Sequence, residues 1–322
     1  MSRFYAPRSP AYFQVGGILS PTAQSYVSRW ADRDLESAML AGEFCYIFDA
    51  PQMGKTSLQR RVAQRLREEY GYQCVFLDLT RLRGREIDRQ QWYMGIARLL
   101  SRGLKLDLDF RAWIEERSFL PPVQYPSELL EDVALRQIEA PIAIFIDDIE
   151  VVLDLTFRVD DFFALLCSYQ RHPQLRFVVA GCTTAIELVR DLRCTPFETG
   201  KSMTLDLFQM KRNSPESADL ADVMDLTPFT TGLGECVTDP QETLAVVLDW
   251  TGGQPFLTQW LCQLIAEQAA ADPRWPPPTV PRSGWRTWFS PSSLPIGKRT
   301  IAPIISAGFA IGCCKMTMPW KS

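Results

Sequence analysis

The sequence predicts an open, parallel α/β sheet followed by a small helical region. Two observations carry that expectation. Four short apolar runs with the character of buried strands alternate with stretches of helical period. The alternation then stops near residue 208, beyond which the apolar spacing is helical only. A chain of 322 residues with 46% hydrophobic and 22% charged residues has ordinary globular composition, long enough for one large domain or two smaller ones.

Each element follows from its own residues. Residues 1–25 have no period and read as an irregular arm. Asp32–Ala41 places Leu35, Met39 and Leu40 on one helical face and ends at Gly42. Phe44–Phe48 is a continuous apolar run, the pattern of a strand covered on both faces. In Thr56–Tyr70 the residues Leu58, Val62 and Leu66 recur every fourth position, and arginines 60, 61, 65 and 67 form the solvated side. Cys74–Leu79 is a second strand. Gln90–Leu104 and Ser127–Gln137 are helical, Ile142–Ile146 is an entirely apolar third strand, Asp161–Gln170 is a helix and Leu175–Ala180 a fourth strand. After a polar stretch, Asp239-Pro240-Gln241-Glu242 is a helix-start signature, with a capping acid and proline in the first turn. That helix stops at Gly252-Gly253, and Pro255 opens another carrying Leu257, Leu261, Leu264 and Ile265. The expected organisation is an arm (1–25), a sheet domain (26–208), a helical lid (209–271) and a separate tail (272–322).

Composition narrows the function classes. No apolar run approaches the ~20 residues that span a bilayer, and no membrane anchor or secretory leader is expected. The single histidine, His172, lies in a polar stretch and excludes paired-histidine metal sites. Nine cysteines without a C-x-x-C pair read as reduced core residues of a cytoplasmic protein. After Asp272 the remaining 50 residues contain no acid and seven Lys or Arg, leaving residues 1–272 with 27 basic against 38 acidic residues. A body with a net charge of −11 repels nucleic acid, so no nucleic-acid partner is expected.

The chemistry is concentrated in Asp49-Ala50-Pro51-Gln52-Met53-Gly54-Lys55-Thr56-Ser57, between a strand and an amphipathic helix. A phosphate-binding loop needs backbone N–H groups converging at a helix N-terminus, a lysine for the β- and γ-phosphates, and a hydroxyl for Mg²⁺. Gln52, Met53, Gly54, Lys55, Thr56 and Ser57 supply that set for ATP and Mg²⁺. Asp49 stands where the strict pattern has its first glycine, and aspartate tolerates the left-handed backbone a glycine there would adopt. Strand Ile142–Ile146 ends in Asp147-Asp148. In a P-loop ATPase the first acid, Asp147, faces the metal and the second, Asp148, polarises the attacking water. These residues specify the expected fold more closely, as a P-loop NTPase sandwich of three layers. Strand Leu175–Ala180 runs into Gly181-Cys182-Thr183-Thr184, where Thr184 is the candidate polar sensor. Gly253-Gln254-Pro255 is the candidate turn by which a lid meets the nucleotide, through Pro255.

With these residues in place, the chain resembles the AAA-like domain of cyanobacterial signalling proteins, a branch of the STAND-type P-loop ATPases. The resemblance rests on Tyr26-Val27-Ser28-Arg29-Trp30-Ala31-Asp32, on Gln52-Met53-Gly54-Lys55-Thr56-Ser57-Leu58, on Leu77-Asp78-Leu79-Thr80, and on Trp250-Thr251-Gly252-Gly253-Gln254-Pro255-Phe256-Leu257. It spans about Phe13 to Gln268, and that family also lacks the first loop glycine. The resemblance implies an ATP-operated switch coupled to other modules, with protein partners or self-association, and with Tyr26, Val27 and Arg29 near the adenine. The chain departs from the family at Pro51, at Asp148 in place of glutamate, and in a shortened Gln170–Leu175 segment that normally includes an arginine. Two other functions stay open at this point: an inert nucleotide-dependent scaffold or truncated product, and a small-molecule phosphotransferase. The tail, whose 50 residues after Asp272 hold nine prolines, four tryptophans and no acid, reads as a frameshifted or disordered segment. Read one frame away, Pro295–Met318 regains an acidic, amphipathic sequence like the family's own.

Overall fold

The computed structural model describes residues 12–84, 86–189, 195–210 and 224–271. The tail, with the frameshift and disorder expected of it, lies outside the described residues. The described residues divide into two compact units, one within Trp30–Leu205 and a second that joins residues 12–29 to 206–210 and 224–271.

In the first unit, helix α1 (Trp30–Ala41) leads into β1 (Cys45–Phe48), α2 (Lys55–Tyr70) and β2 (Gln73–Asp78). Then come α3 (Arg89–Leu104), α4 (Phe110–Glu116), α5 (Gln124–Glu128), a π turn (Leu129–Ala134) and α6 (Leu135–Gln137). Strand β3 (Ile142–Asp147), a 3₁₀ turn (Ile149–Asp154), α7 (Asp160–Ser168), β4 (Leu175–Gly181), α8 (Ala185–Leu188), α9 (Pro196–Thr199) and β5 (Lys201–Ser202) complete it. The strands form one parallel sheet in the order β2-β3-β4-β1-β5. All four strands read from sequence are present. The short β5 was not read, because two residues carry no period.

Strand β3 explains the layering. All six of its residues are buried, and alternate side chains serve opposite faces of the sheet. Ala143 and Phe145 join Leu35 and Met39 of α1 and Leu58, Val62 and Leu66 of α2 on one face. Ile142, Ile144 and Ile146 join Trp92, Ile96 and Leu100 of α3 and Phe162 and Phe163 of α7 on the other. Each such large apolar side chain contributes roughly 1.5–3 kcal/mol by leaving water, so this interior strand clamps both helical layers. The arginine face of α2 is partly committed: Arg60 lies 3.6 Å over the ring of Phe76, and Arg65 pairs with Glu36 at 2.8 Å. His172, read as solvated, is half-buried, and its Nδ1 accepts the N–H groups of Gln174 and Leu175 at 3.2 Å each.

The second unit contains α10 (Thr227–Gly234), α11 (Pro240–Thr251) and α12 (Pro255–Ala271). Asp239 caps α11 through the N–H of Glu242 at 3.0 Å, as its sequence signature requires. The segment at 12–29 is irregular but belongs to this core. Phe13 and Val27 pack with Phe229, Leu233, Leu244 and Ile265, and Tyr12 donates to the carbonyl of Pro228 at 2.8 Å. Gly232 makes room for this, since a Cβ there would lie 2.3 Å from the Tyr12 ring. This unit thus takes residues of the expected arm into the core of the helical region. Among the described residues, no helix is long and apolar enough to cross a membrane.

Candidate phosphate and metal site

The C-terminal ends of β1, β3 and β4 converge on one edge of the sheet, where parallel α/β folds place their ligands. The loop from β1 to α2 turns through two left-handed residues, Gln52 at φ 64° and Gly54 at φ 89°. Asp49 is not among the left-handed residues, which corrects the expectation for that position. Its carboxylate accepts instead, from Ala50 N–H at 2.7 Å and from Leu205 N–H at 3.3 Å. Gly54 is the N-cap of α2 and makes no side-chain cap bond, and the helix dipole points into the loop.

Lys55 is 8% exposed, and its ammonium is folded into the loop. It donates to the carbonyls of Asp49 and Ala50, each at 2.8 Å, and to Cys182 Sγ at 3.1 Å. All three protons are thereby engaged, and a phosphate oxygen would replace one of these acceptors. One residue on, Thr56 Oγ1 donates to Asp147 Oδ2 at 2.6 Å. The other carboxylate oxygen accepts from Gln59 Nε2 at 3.3 Å and from Asp148 N–H at 3.2 Å. Strand β3 thus presents Asp147 to the first turn of α2.

Burial raises the Asp147 carboxyl above its ordinary range, opposed by the bonds from Thr56, Asp148 and Gln59 and by Lys55. Asp148 is pushed up to about 6, first by burial and then by the neighbouring charges of Asp147, Glu150 and Asp78. Its backbone is left-handed, at φ 55°. The edge gathers more negative charge than Lys55 offsets, an environment that favours a cation. Among the described residues no group of three or more His, Cys, Asp or Glu side chains forms a metal cage. The donor set is one hydroxyl and one carboxylate, which suits Mg²⁺, an ion that takes few protein ligands and completes its shell with phosphate and water.

Thr184 is engaged differently. Its hydroxyl and its N–H both donate to Glu187 Oε2, at 3.1 and 2.9 Å, as the cap of α8. Cys182 is the residue of that turn that meets Lys55. Gln59, Glu150 and Cys182 were not read from sequence. Gln59 follows Lys55 by one helical turn and was legible from that spacing alone. In the second unit, Gly253 is held at φ 75° with its carbonyl accepting from Phe208 N–H at 2.8 Å, and Pro255 is the buried first residue of α12. Tyr26, Val27 and Arg29 are also buried in that unit. A cavity of about 420 Å³ lies by Phe44, Arg171 and Lys201, at the opposite edge of the sheet, and contains none of the loop residues.

A profile of the AAA-like domain family matches residues 15–272. The chain belongs to that family. An uncharacterized WD repeat-containing protein of Synechocystis sp. is 39% identical over 265 residues, covering 79% of this chain and 21% of that protein. The AAA-like chain thus spans about a fifth of the length of the relative it matches. Among solved structures, the ORC2 protein of Aeropyrum pernix, in ADPNP and ADP complexes, superposes with a TM-score of 0.51 at 13% identity, covering 80% of this chain and 65% of its own. Cdc6p of Pyrobaculum aerophilum gives a TM-score of 0.48 at 13% identity, over 90% and 82% of the two chains. The fold is that of the P-loop NTPases, a nucleotide-binding fold. These likenesses give no support to the expected exclusion of nucleic acid.

Proposed function

We propose that this AAA-like chain is a Mg·ATP-binding regulatory switch of the STAND signal-transduction type, cytoplasmic, with slow ATP turnover or none. The observation that carries the reading is the 2.6 Å bond between Thr56 and Asp147, set beneath a helix N-terminus that has no side-chain cap. In this reading Lys55 neutralises the terminal phosphates, and the N–H groups around Gln52, Met53, Gly54 and Ser57 line the phosphate chain. Thr56 and Asp147 hold Mg²⁺, which screens the phosphate charge, and Asp148 positions water. Thr184 keeps a sensor role, and Tyr26, Val27, Arg29 and Pro255 keep the base and lid roles that the resemblance gives them.

The relative's WD repeats support coupling to further protein modules. The acid excess of the body favours protein partners over nucleic acid. The frameshift reading of the tail belongs to the same proposal. The family match ends at residue 272, where acidic residues cease, and an unbroken reading frame on resequencing the locus would overturn it.

A scaffold without turnover is the second reading. It is favoured by Asp148, one methylene shorter than glutamate and held in a left-handed backbone. Titration calorimetry tests the main proposal: Lys55→Ala should weaken Mg·ATP binding at least tenfold, about 1.4 kcal/mol. Equal affinity in variant and parent would refute it. Phosphate release from the parent, or its appearance with Asp148→Glu, excludes the scaffold reading, since a scaffold gives none and a switch limited by its short acid turns over faster with the longer one.

A further inference from the structure

The 3₁₀ turn after β3 carries Glu150, an acid that the assignment above does not use. Its Oε2 accepts the N–H of Cys182 at 3.0 Å. The contact depends on glycine at 181, because a Cβ there would lie 2.6 Å from that same oxygen and 2.6 Å from Ile149 Cγ2. Cys182 in turn accepts from Lys55 Nζ at 3.1 Å. The carbonyl of Gly181 accepts from Asp49 N–H at 3.2 Å, tying the β4 tip to the start of the loop. Three segments distant in sequence are therefore linked through one carboxylate: the phosphate loop, the acidic turn after β3 and the end of β4.

We propose that Glu150 is a positioning residue, which holds the β4 tip through the Cys182 amide and so sets where Lys55 stands in the loop. The inference rests on the proposed Mg·ATP site and names a residue that shapes it. Glu150 itself touches neither the loop lysine nor Thr56 in any hydrogen bond described. Its effect passes through the backbone of residues 181–182, and the acceptor geometry rather than the charge does the work. Glutamine keeps a carbonyl oxygen at the same reach, and alanine keeps nothing.

Cys182 is exposed, so its thiol reports on the tip directly. The experiment measures two quantities in parent, Glu150→Ala and Glu150→Gln: the iodoacetamide alkylation rate of Cys182 without nucleotide, mapped by mass spectrometry, and the Kd for Mg·ATP. Glu150→Ala should alkylate at least threefold faster and bind at least fivefold more weakly, and Glu150→Gln should restore both toward the parent. Gly181→Ala, which drives a methyl against Oε2, should reproduce the alanine phenotype. It serves as the second variant where Glu150→Ala loses its thermal transition.

Parental alkylation and affinity in Glu150→Ala would overturn the inference while leaving Lys55-dependent binding, and with it the proposed function, intact. Equal impairment of Glu150→Ala and Glu150→Gln would also overturn it, because charge and not the amide contact would then be the cause. Absence of any Mg·ATP binding by the parent would overturn both.

Discussion

Replacing Asp148 by asparagine should stabilise the nucleotide-free protein, and the gain should depend on pH. The carboxyl stands at about 6 in the folded chain against an ordinary 3.8. A raised acid favours the folded state only while it is protonated. That contribution is complete below the unfolded value and is lost as pH rises through the folded one. At neutral pH the ionised group therefore carries a cost, which asparagine, shaped like the protonated acid, does not. At ~1.36 kcal/mol per pH unit the shift corresponds to about 3 kcal/mol. Asp148 is only half-buried, and solvent screening reduces this to about 1–2 kcal/mol. For a unit the size of Trp30–Leu205, ~2–4 °C per kcal/mol gives a rise in Tm of roughly 2–8 °C. Asparagine also tolerates the left-handed backbone at this position, whereas alanine would incur about 1–2 kcal/mol there, so Asp148→Ala should gain less. The assay is calorimetric melting in EDTA from pH 4 to pH 8. The difference between Asp148→Asn and parent should be near zero at pH 4, open between pH 4 and 6, and stay level above. A pH-independent offset, or a less stable variant at pH 7.5, would refute the reasoning.

Asp147→Asn keeps an oxygen for Gln59 and the Asp148 N–H but removes the charge that the proposed site would present to Mg²⁺. It should lose at least tenfold in Mg·ATP affinity, about 1.4 kcal/mol, while matching the parent when ATP is titrated without Mg²⁺. The same change should raise the nucleotide-free Tm, because burial already disfavours the ionised carboxylate. In the second unit, Gly253→Ala would place a Cβ 2.0 Å from the Phe208 carbonyl oxygen at φ 75°. The left-handed backbone costs alanine about 1–2 kcal/mol by itself, and the clash adds to it. Gly252→Ala, also left-handed but with nothing within 4 Å, should cost only the backbone part, about 1–2 kcal/mol. Urea denaturation of the pair checks the ordering, and equal losses would contradict it.

The parts of the site that were legible in the sequence are those written in local periods. Gly54-Lys55-Thr56 stands between an apolar run and a helix with apolar residues at 58, 62 and 66, and Asp147 ends an unbroken apolar strand. Each can be read from one continuous stretch of chain, and the structure places Thr56 on Asp147. What escaped is set by contacts across the fold. Glu150 lies in a 3₁₀ turn, where neither a two-residue nor a 3.6-residue period applies, and its partner is an amide 32 residues away. Cys182 was read within the turn after the fourth strand, but nothing local marked it, rather than Thr184, as the residue that meets Lys55. Phe13 fills a core whose other members lie beyond residue 200, apart from Val27 among the fully buried ones. No local pattern encodes such a pairing.

Asp49 shows why the difference matters for reading phosphate loops. From sequence, its place in the pattern made it a substitute for glycine, and the only question was what the backbone would tolerate. In the structure the left-handed positions are Gln52 and Gly54, so residue 49 is relieved of that requirement. Its carboxylate then secures Ala50 and the chain after β5 through two N–H groups, and its carbonyl is one of the acceptors of Lys55. A glycine at 49 would keep the carbonyl but leave both amides without that acceptor. The departure from the strict motif therefore exchanges backbone freedom at the loop entrance for side-chain hydrogen bonds that fix the same loop, and the lysine is held by a carbonyl whose position that carboxylate helps to set.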